Sequence, residues 1–209
     1  MAGEDDTAVT ARDPNIEKDV RAIVQRIVDG LFSSGDVAEG STVPAVASPE
    51  PPKTSSEISR VAIGADHGGY GLKERLGFRL KEQGYTVIDR GTDSTDAVDY
   101  PDFAVAVAST VAAGEADIGV MIDGAGIGSS MVANKIPGVR AALCYDLSTA
   151  RNAREHNHAN VLTLGAGLVG ESLAWQIVQE FMATPYGQGR HARRVDKIND
   201  LDRHLAGAP

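Results

Sequence analysis

Short apolar runs alternate with amphipathic helical patterns from residue 58 to the end of the chain. Five runs bounded by turn residues predict the strands Arg60–Ala65, Thr86–Asp89, Ile118–Ile122, Arg140–Leu143 and Val161–Leu164. Apolar spacings of three and four residues predict the helices Tyr70–Gln83, Phe103–Ala113, Gly128–Lys135, Leu147–Glu155, Gly170–Met182 and a last one near His191–Leu205. Strands that alternate with helices predict an α/β fold in which helices cover both faces of one parallel sheet.

The first 57 residues follow a different pattern. Residues 14–32 carry a single apolar stripe, with Asp13 placed to cap a helix and Pro14 at its first position, which predicts a short amphipathic helix. Residues 33–57 are rich in Ser, Pro, Gly and acids and have no apolar period, which predicts a disordered linker before the domain of residues 58–209. The helix either packs on its own domain, pairs with a copy of itself or docks on a partner, and its periodicity leaves these alternatives open.

Composition narrows the class of protein. The chain of 209 residues has a formal net charge of -9, which argues against a nucleic-acid binder that relies on a basic surface. The single cysteine excludes an internal disulfide and a multi-cysteine metal site, and it suits a reducing cytoplasm. No apolar run approaches the ~20 residues of a membrane span, and the acidic N-terminus lacks the apolar segment of a secretory signal.

A glycine-rich turn follows the third predicted strand. The strand ends in Asp123, and Gly124, Gly126 and Gly128 lead into a helical pattern. Such a turn brings backbone N–H groups and a helix N-terminus to one point, where anions bind. A phosphate directly beside Asp123 would repel the carboxylate. We therefore expect Asp123 to act as a base near a neutral part of the substrate.

Further polar residues follow the first strand and precede the second helix. Asp66 and His67 stand at the carboxyl end of the first strand, where ligands of parallel sheets bind, although Asp66 could instead cap a helix and His67 lie on the surface. The coincidence of this pair with a second glycine loop favours a functional site. Tyr100 offers a hydroxyl to a substrate, and a half-buried structural tyrosine is the equally weighted alternative.

Histidines and arginines supply a second group of candidates. His156 and Asn157 close a helix before the last strand, and the histidine suits either proton transfer near neutral pH or a simple interaction with the helix dipole. Arg190 and Arg194 are four residues apart and share a face of any helix that contains them, which suits a phosphate or, alternatively, a solvated basic patch. No pair of histidines has the helical spacing of a metal site, so we expect no metal.

Five motifs in series make a specific resemblance. They are Gly-Ala-Asp66-His67-Gly-Gly, Asp99-Tyr100-Pro101, the loop from Asp123 to Lys135, His156-Asn157 and Gly189-Arg190-His191-x-x-Arg194. Over residues 60–203 the chain resembles the ribose-5-phosphate isomerase type B family, which includes the galactose-6-phosphate isomerase subunits. The resemblance implies a Rossmann-like three-layer fold with a five-stranded parallel sheet. It also implies a homodimer or dimer of dimers with shared active sites, and aldose–ketose isomerisation of a sugar phosphate without metal or cofactor.

The resemblance also implies roles for individual residues. Asp66 and His156 would assist opening of the sugar ring, and Tyr100 would line the sugar site. Asn157 would hold the oxygens of the enediolate intermediate together with backbone amides of the glycine loop, at Gly124, Ala125, Gly126 and Gly128. Three side chains would bind the phosphate, some of them across the dimer: His67, Arg190 and Arg194.

The chain departs from the family pattern around the reacting carbons. Asp123 stands where many members carry a cysteine as the base, and Ser129 stands where others carry a glutamate. Ala125 replaces a hydroxyl-bearing residue, Gly167 replaces an arginine, and Cys144 aligns with a core position. We expect conversion of ribose 5-phosphate to ribulose 5-phosphate with Asp123 as the base. The alternatives are an isomerase of a deoxy- or six-carbon sugar phosphate and a catalytically impaired binding or scaffold protein.

The N-terminal segment has a resemblance of its own. The amphipathic helix of residues 14–32 and its linker resemble the encapsulation peptides that target enzymes to bacterial microcompartments. This implies shell proteins as partners of residues 14–32. We expect a cytoplasmic protein, and the resemblance adds the interior of a microcompartment as its location, with no nucleic acid or membrane as partner.

Overall fold

The computed structural model describes residues 58–206, apart from the side chains of residues 205 and 206. Its strands are β1 (Arg60–Ala65), β2 (Thr86–Asp89), β3 (Ile118–Asp123), β4 (Ala141–Leu143) and β5 (Val161–Gly165). Its helices are α1 (Tyr70–Glu82), α2 (Tyr100–Ala112), α3 (Ile127–Ala133), α4 (Leu147–Asn157), α5 (Glu171–Ala183) and α6 (Arg190–Ala206). The predicted amphipathic helix and linker lie outside the described residues, and the predicted domain boundaries stay predictions.

All five strands are parallel and lie in the order β2-β1-β3-β5-β4. The three central strands are buried almost throughout, whereas β2 and β4 at the edges are partly exposed. Burial on both faces explains why the central strands read as nearly continuous apolar runs. The carboxyl ends of β1, β3 and β5 therefore meet along one edge of the sheet.

Helices cover the sheet on both sides. One core contains residues of α1, α4 and α5, among them Leu76, Ala150 and Phe181. The other contains residues of α2 and α3, among them Val107 and Ala133. The predicted Rossmann-like three-layer fold is confirmed. Within residues 58–206, no helix is long and apolar enough to cross a membrane.

Several helix boundaries differ from those that the pattern predicts, and two of the differences concern candidate site residues. Helix α2 begins at Tyr100, not Phe103, because Pro101 fits the first turn of a helix, where its missing N–H has no partner to lose. Helix α4 continues to Asn157, and His158 ends it in the left-handed conformation with φ 50°. His156 and Asn157 therefore belong to the last helical turn and do not lie in the loop that follows.

Candidate active site

The carboxyl ends of β1 and β3 bring two acidic residues to neighbouring positions. Ala65 pairs with Ile122, and Asp66 and Asp123 each come directly after this pair in the chain. The Asp66 amide donates to the Ile122 carbonyl at 3.1 Å, and its carboxylate accepts the Gly69 amide at 2.9 Å. Both carboxyl-bearing residues are largely buried, with 8% and 5% of their surface exposed, respectively. The two glycine loops noted in the sequence thus lie side by side at the carboxyl edge of the sheet.

The carboxylate of Asp123 is held by its own loop. Oδ1 accepts the amide of Ala125 at 2.8 Å and the amide of Gly126. Oδ2 accepts the amide of Ser129 at 3.1 Å and the Ser129 hydroxyl. The amides of Ala125 and Gly126, which the resemblance assigns to the enediolate, are therefore directed at the protein's own anion. Sequence reasoning did not identify Ser129 as a partner of this carboxylate.

Glycine is required at the bend of this loop. Gly126 has φ 79°, a conformation that residues with a Cβ adopt only with strain. A Cβ there would lie 2.5 Å from the Leu143 side chain and 2.9 Å from the Leu164 carbonyl carbon. The Gly126 carbonyl also accepts the hydroxyl of Thr163 at 2.9 Å. The bend is therefore packed between β4 and β5, and it leads into the helix whose Ser129 amide donates to Asp123.

Tyr100 and His67 border the same edge. A Cβ on Gly128 would lie 2.5 Å from Cζ and 2.7 Å from the hydroxyl oxygen of Tyr100, so the tyrosine ring packs directly on the start of α3. Nδ1 of His67 lies 3.2 Å from the carbonyl oxygen and 3.3 Å from the amide nitrogen of Val98. The structure thus brings Tyr100 to the glycine loop, and it places His67 directly after Asp66 and against Val98.

Two of the departures from the family pattern, Ala125 and Gly167, belong to this loop or adjoin it. The Tyr145 hydroxyl, which sequence reasoning missed, donates to the Ala125 carbonyl at 3.1 Å. The Gly167 amide donates to the Gly124 carbonyl at 3.0 Å, and a Cβ on Gly167 would lie 3.0 Å from that oxygen. A side chain at position 167 would therefore start in tight contact with the glycine loop.

The remaining predicted residues lie at the opposite edge of the sheet. Helix α4 starts after the carboxyl end of β4 and runs back, so His156 lies about 14 Å along the helix from Leu147. Helix α6 is fixed at this amino-terminal edge, since the Gly138 amide donates to Asp202 at 2.8 Å. One chain therefore does not bring His156, Asn157, Arg190 or Arg194 to Asp123.

This second group is compact in itself. The rings of His156 and His191 stack with centroids 4.2 Å apart, and Nδ1 of His156 lies 2.8 Å from Nδ2 of Asn152. Desolvation, together with the electrostatic effect of the neighbouring His156 and Arg190, lowers the pKa of His191. Arg190 and Arg194 are both exposed, and within residues 58–206 neither of them forms an ion pair. The arrangement is suited to binding an anion.

Other polar side chains nearby have structural roles. His158 bonds the Gly187 carbonyl through Nε2 at 2.7 Å, stacks on Tyr186 and is buried, and burial lowers its pKa. The buried Arg154 donates to the Ala159 carbonyl at 2.7 Å and lies 4.1 Å from the centre of the Tyr186 ring. These contacts join the end of α4 to the segment before α6, and they hold the second group in place.

Comparisons with known proteins give the family. A family model described as Ribose/Galactose Isomerase matches residues 61–198. Ribose-5-phosphate isomerase B of Escherichia coli is 42% identical over 70% of this chain and 98% of its own. A Bacillus subtilis protein named as a putative sugar phosphate isomerase is 41% identical over 68% and 97%. The structure of ribose-5-phosphate isomerase B of Clostridium thermocellum has a TM-score of 0.69 and 48% identity, covering 70% of this chain and 99% of its own. The predicted family is confirmed: the chain belongs to the Ribose/Galactose Isomerase family, a family of sugar-phosphate isomerases.

Proposed function

We propose that this protein converts ribose 5-phosphate to ribulose 5-phosphate through an enediolate intermediate. The observation that carries the proposal is the buried carboxylate of Asp123 beside Asp66 at the carboxyl ends of β3 and β1. A carboxylate removes a proton next to a carbonyl group when it is close to the carbon and partly desolvated. Relatives named ribose-5-phosphate isomerase B, at 42% identity over nearly their whole length, support the choice of substrate.

The reaction moves protons without a cofactor or a metal. Asp66 and His156 open the furanose ring to the free aldehyde. Asp123 takes the proton from C2, which leaves the enediolate, and returns it to C1 to give the ketose. A second proton moves from the C2 hydroxyl to the C1 oxygen, so that both atoms and charge balance. Two carboxylates and a histidine are the proton carriers that this scheme assigns.

Substrate contacts are divided between the two edges of the sheet. Tyr100 lines the sugar site, and Asn157 contacts the enediolate. The backbone amides of Gly124 and Gly128 also contact the enediolate, because the amides of Ala125 and Gly126 donate to Asp123. A paired arginine face binds phosphate through charge-assisted hydrogen bonds. The residues that bind the phosphate are His67, Arg190 and Arg194.

The division of these residues supports a homodimer, or a dimer of dimers, with shared active sites. In such a dimer the arginines of one chain complete the glycine-loop site of the other. Exposed apolar side chains on α2 and α3 supply contact surface beside the loop: Val105, Ile127 and Met131 are 42%, 47% and 64% exposed. Isologous contact between two copies buries such a patch on both chains.

A second candidate function follows from the same loop. Asp123 binds loop amides that would otherwise be available to the enediolate, and Ala125 offers no hydroxyl. Losing one donor to such an intermediate costs ~10²–10³ in rate. Together with the lack of a side chain at Gly167, this favours a different sugar, such as a deoxy- or six-carbon phosphate, or a protein that binds sugar phosphates without turnover.

A panel of pentose and hexose phosphates separates these functions. Ketose formation is measured for each sugar, together with proton exchange at C1 and C2 in deuterated water. We expect ribose 5-phosphate to give the highest kcat/KM. A higher kcat/KM for another sugar phosphate would identify that sugar as the substrate instead. Binding of several sugars without exchange in any of them would support the impaired protein and contradict the isomerase.

The single cysteine is expected to be dispensable. Burial raises the pKa of Cys144 to about 11, so almost no reactive thiolate exists at neutral pH. Iodoacetamide at neutral pH should leave the activity of the native protein unchanged. Mass spectrometry gives the extent of labelling, and the variant Cys144→Ala is the control. Inactivation that the substrate prevents and the variant lacks would show that Cys144 takes part in the reaction.

The proposal includes a role for residues 14–32. These residues, outside the described part of the chain, would bind microcompartment shell proteins and place the enzyme inside a compartment. Fusing residues 1–57 to a fluorescent protein should then give foci in a host that makes the shell. Diffuse fluorescence in that host would contradict the targeting role and leave the enzyme in the cytoplasm.

A further inference from the structure

We propose that Ser129 is a positioning residue that keeps Oδ2 of Asp123 oriented for proton transfer. This inference rests on the proposed function, because it assumes that Asp123 is the base. The Ser129 side chain is fully buried and donates to Oδ2, and its amide donates to the same oxygen at 3.1 Å. Ser129 acts through Asp123 and does not itself contact the substrate.

The hydrogen bonds of Asp123 distinguish its two oxygens. A carboxylate has about four lone-pair positions, and the four donors of the loop match them. Three of these donors are backbone amides, which cannot turn away without a change in the backbone. The Ser129 hydroxyl turns about one single bond. Oδ2 is therefore the oxygen that can expose a lone pair while the loop stays folded.

The hydroxyl also suits both protonation states of the base. A backbone N–H only donates, whereas a hydroxyl donates or accepts. Ser129 therefore donates to Oδ2 while Asp123 is ionised, and it turns when the proton from C2 arrives at that oxygen. After the proton moves on to C1, the original hydrogen bond forms again. The amides on Oδ1 hold the side chain throughout the cycle.

In the family pattern, a base occupies either the position of Asp123 or that of Ser129. Here the first position carries the carboxylate, and the second carries a small hydroxyl that reaches it. A larger acid at position 129 would compete for the space and repel Asp123. The two positions thus act as one pair in this chain.

The test compares Ser129→Ala with Ser130→Ala. Ser130 is the next residue of α3, it is partly exposed, and its side chain makes no hydrogen bond among the described residues. We expect Ser129→Ala to lower kcat by ~10–100-fold, the effect of a misplaced catalytic group, with KM nearly unchanged. Ser129→Thr, which keeps the hydroxyl, should recover most of the lost kcat, and Ser130→Ala should behave as the native protein.

The readouts separate this inference from the proposed function. Activity that is unchanged in Ser129→Ala, or a rise in KM alone, contradicts the positioning role while the isomerase stands. Full activity in Asp123→Asn contradicts the proposed base itself. If Ser129→Ala does not fold, Ser129→Cys replaces it, because the thiol has nearly the same shape and donates weakly. A native kcat in a folded Ser129→Cys protein would then overturn the inference.

Discussion

Replacing Asp123 by asparagine should lower kcat by ~10²–10⁴-fold, the range that a positioned general base contributes. Asparagine keeps the shape of the side chain and one acceptor oxygen for the amides of Ala125 and Gly126. It cannot take a proton from carbon at neutral pH. Ketose formation and proton exchange at C2 should therefore fall together, because both depend on the same proton transfer.

A matched variant excludes a general effect of charge loss. Asp102→Asn removes a carboxylate from the exposed first turn of α2, and its activity should stay close to that of the native protein. Thermal unfolding of Asp123→Asn checks the fold, since the new amide group faces the Ser129 donors at Oδ2. A folded Asp123→Asn protein with native kcat would show that the base lies elsewhere.

Removing Arg190 and Arg194, two of the exposed arginines of α6, should raise KM for the sugar phosphate by ~10²-fold or more. Each charge-assisted hydrogen bond contributes about 1.5–3 kcal/mol. Arg190 and Arg194 lie on one face of α6 and form no ion pair among the described residues, so their loss leaves no buried charge unpaired. The fold should therefore survive in Arg190→Ala/Arg194→Ala, and the loss should appear mainly in substrate binding.

The control for the arginine pair lies further along the same helix. Arg203 is also exposed on α6, but it lies more than two turns beyond Arg194 and on the opposite face. Arg203→Ala should keep KM within about twofold, as expected for a surface substitution away from the bound phosphate. Equal effects of Arg203→Ala and of the pair would indicate a diffuse basic surface, and a native KM in the double variant would remove the phosphate site from α6.

The strands and most helices could be predicted because turn-forming residues mark where their apolar patterns begin and end. Runs of Val, Ile and Ala between turn residues give Arg60–Ala65 and Thr86–Asp89 with the bounds that the structure has. The start of α2 was missed, since Tyr100 precedes a proline and such residues avoid helical conformation. The end of α4 was placed too early because its last turn is polar and has no apolar residue to mark it.

The arrangement of the site was only partly predictable. A crossover helix runs back along the sheet, so that the end of α4 lies at the edge opposite to Asp123, and this follows from the order of the elements alone. The hydrogen bonds of Asp123 could not be predicted in the same way. They depend on the left-handed bend at Gly126 and on its packing between Leu143 and Leu164.

Mixing two variants, each nearly inactive at substrate concentrations near the native KM, tests the central claim most directly: that one isomerase site is built from opposite edges of two chains. Asp123→Asn and Arg190→Ala/Arg194→Ala are unfolded together and refolded as a mixture. Random pairing makes half of the dimers mixed, and each mixed dimer has one intact site, so we expect about a quarter of native activity. Activity no higher than the sum of the separate variants, in a mixture shown to contain mixed dimers, would contradict the claim.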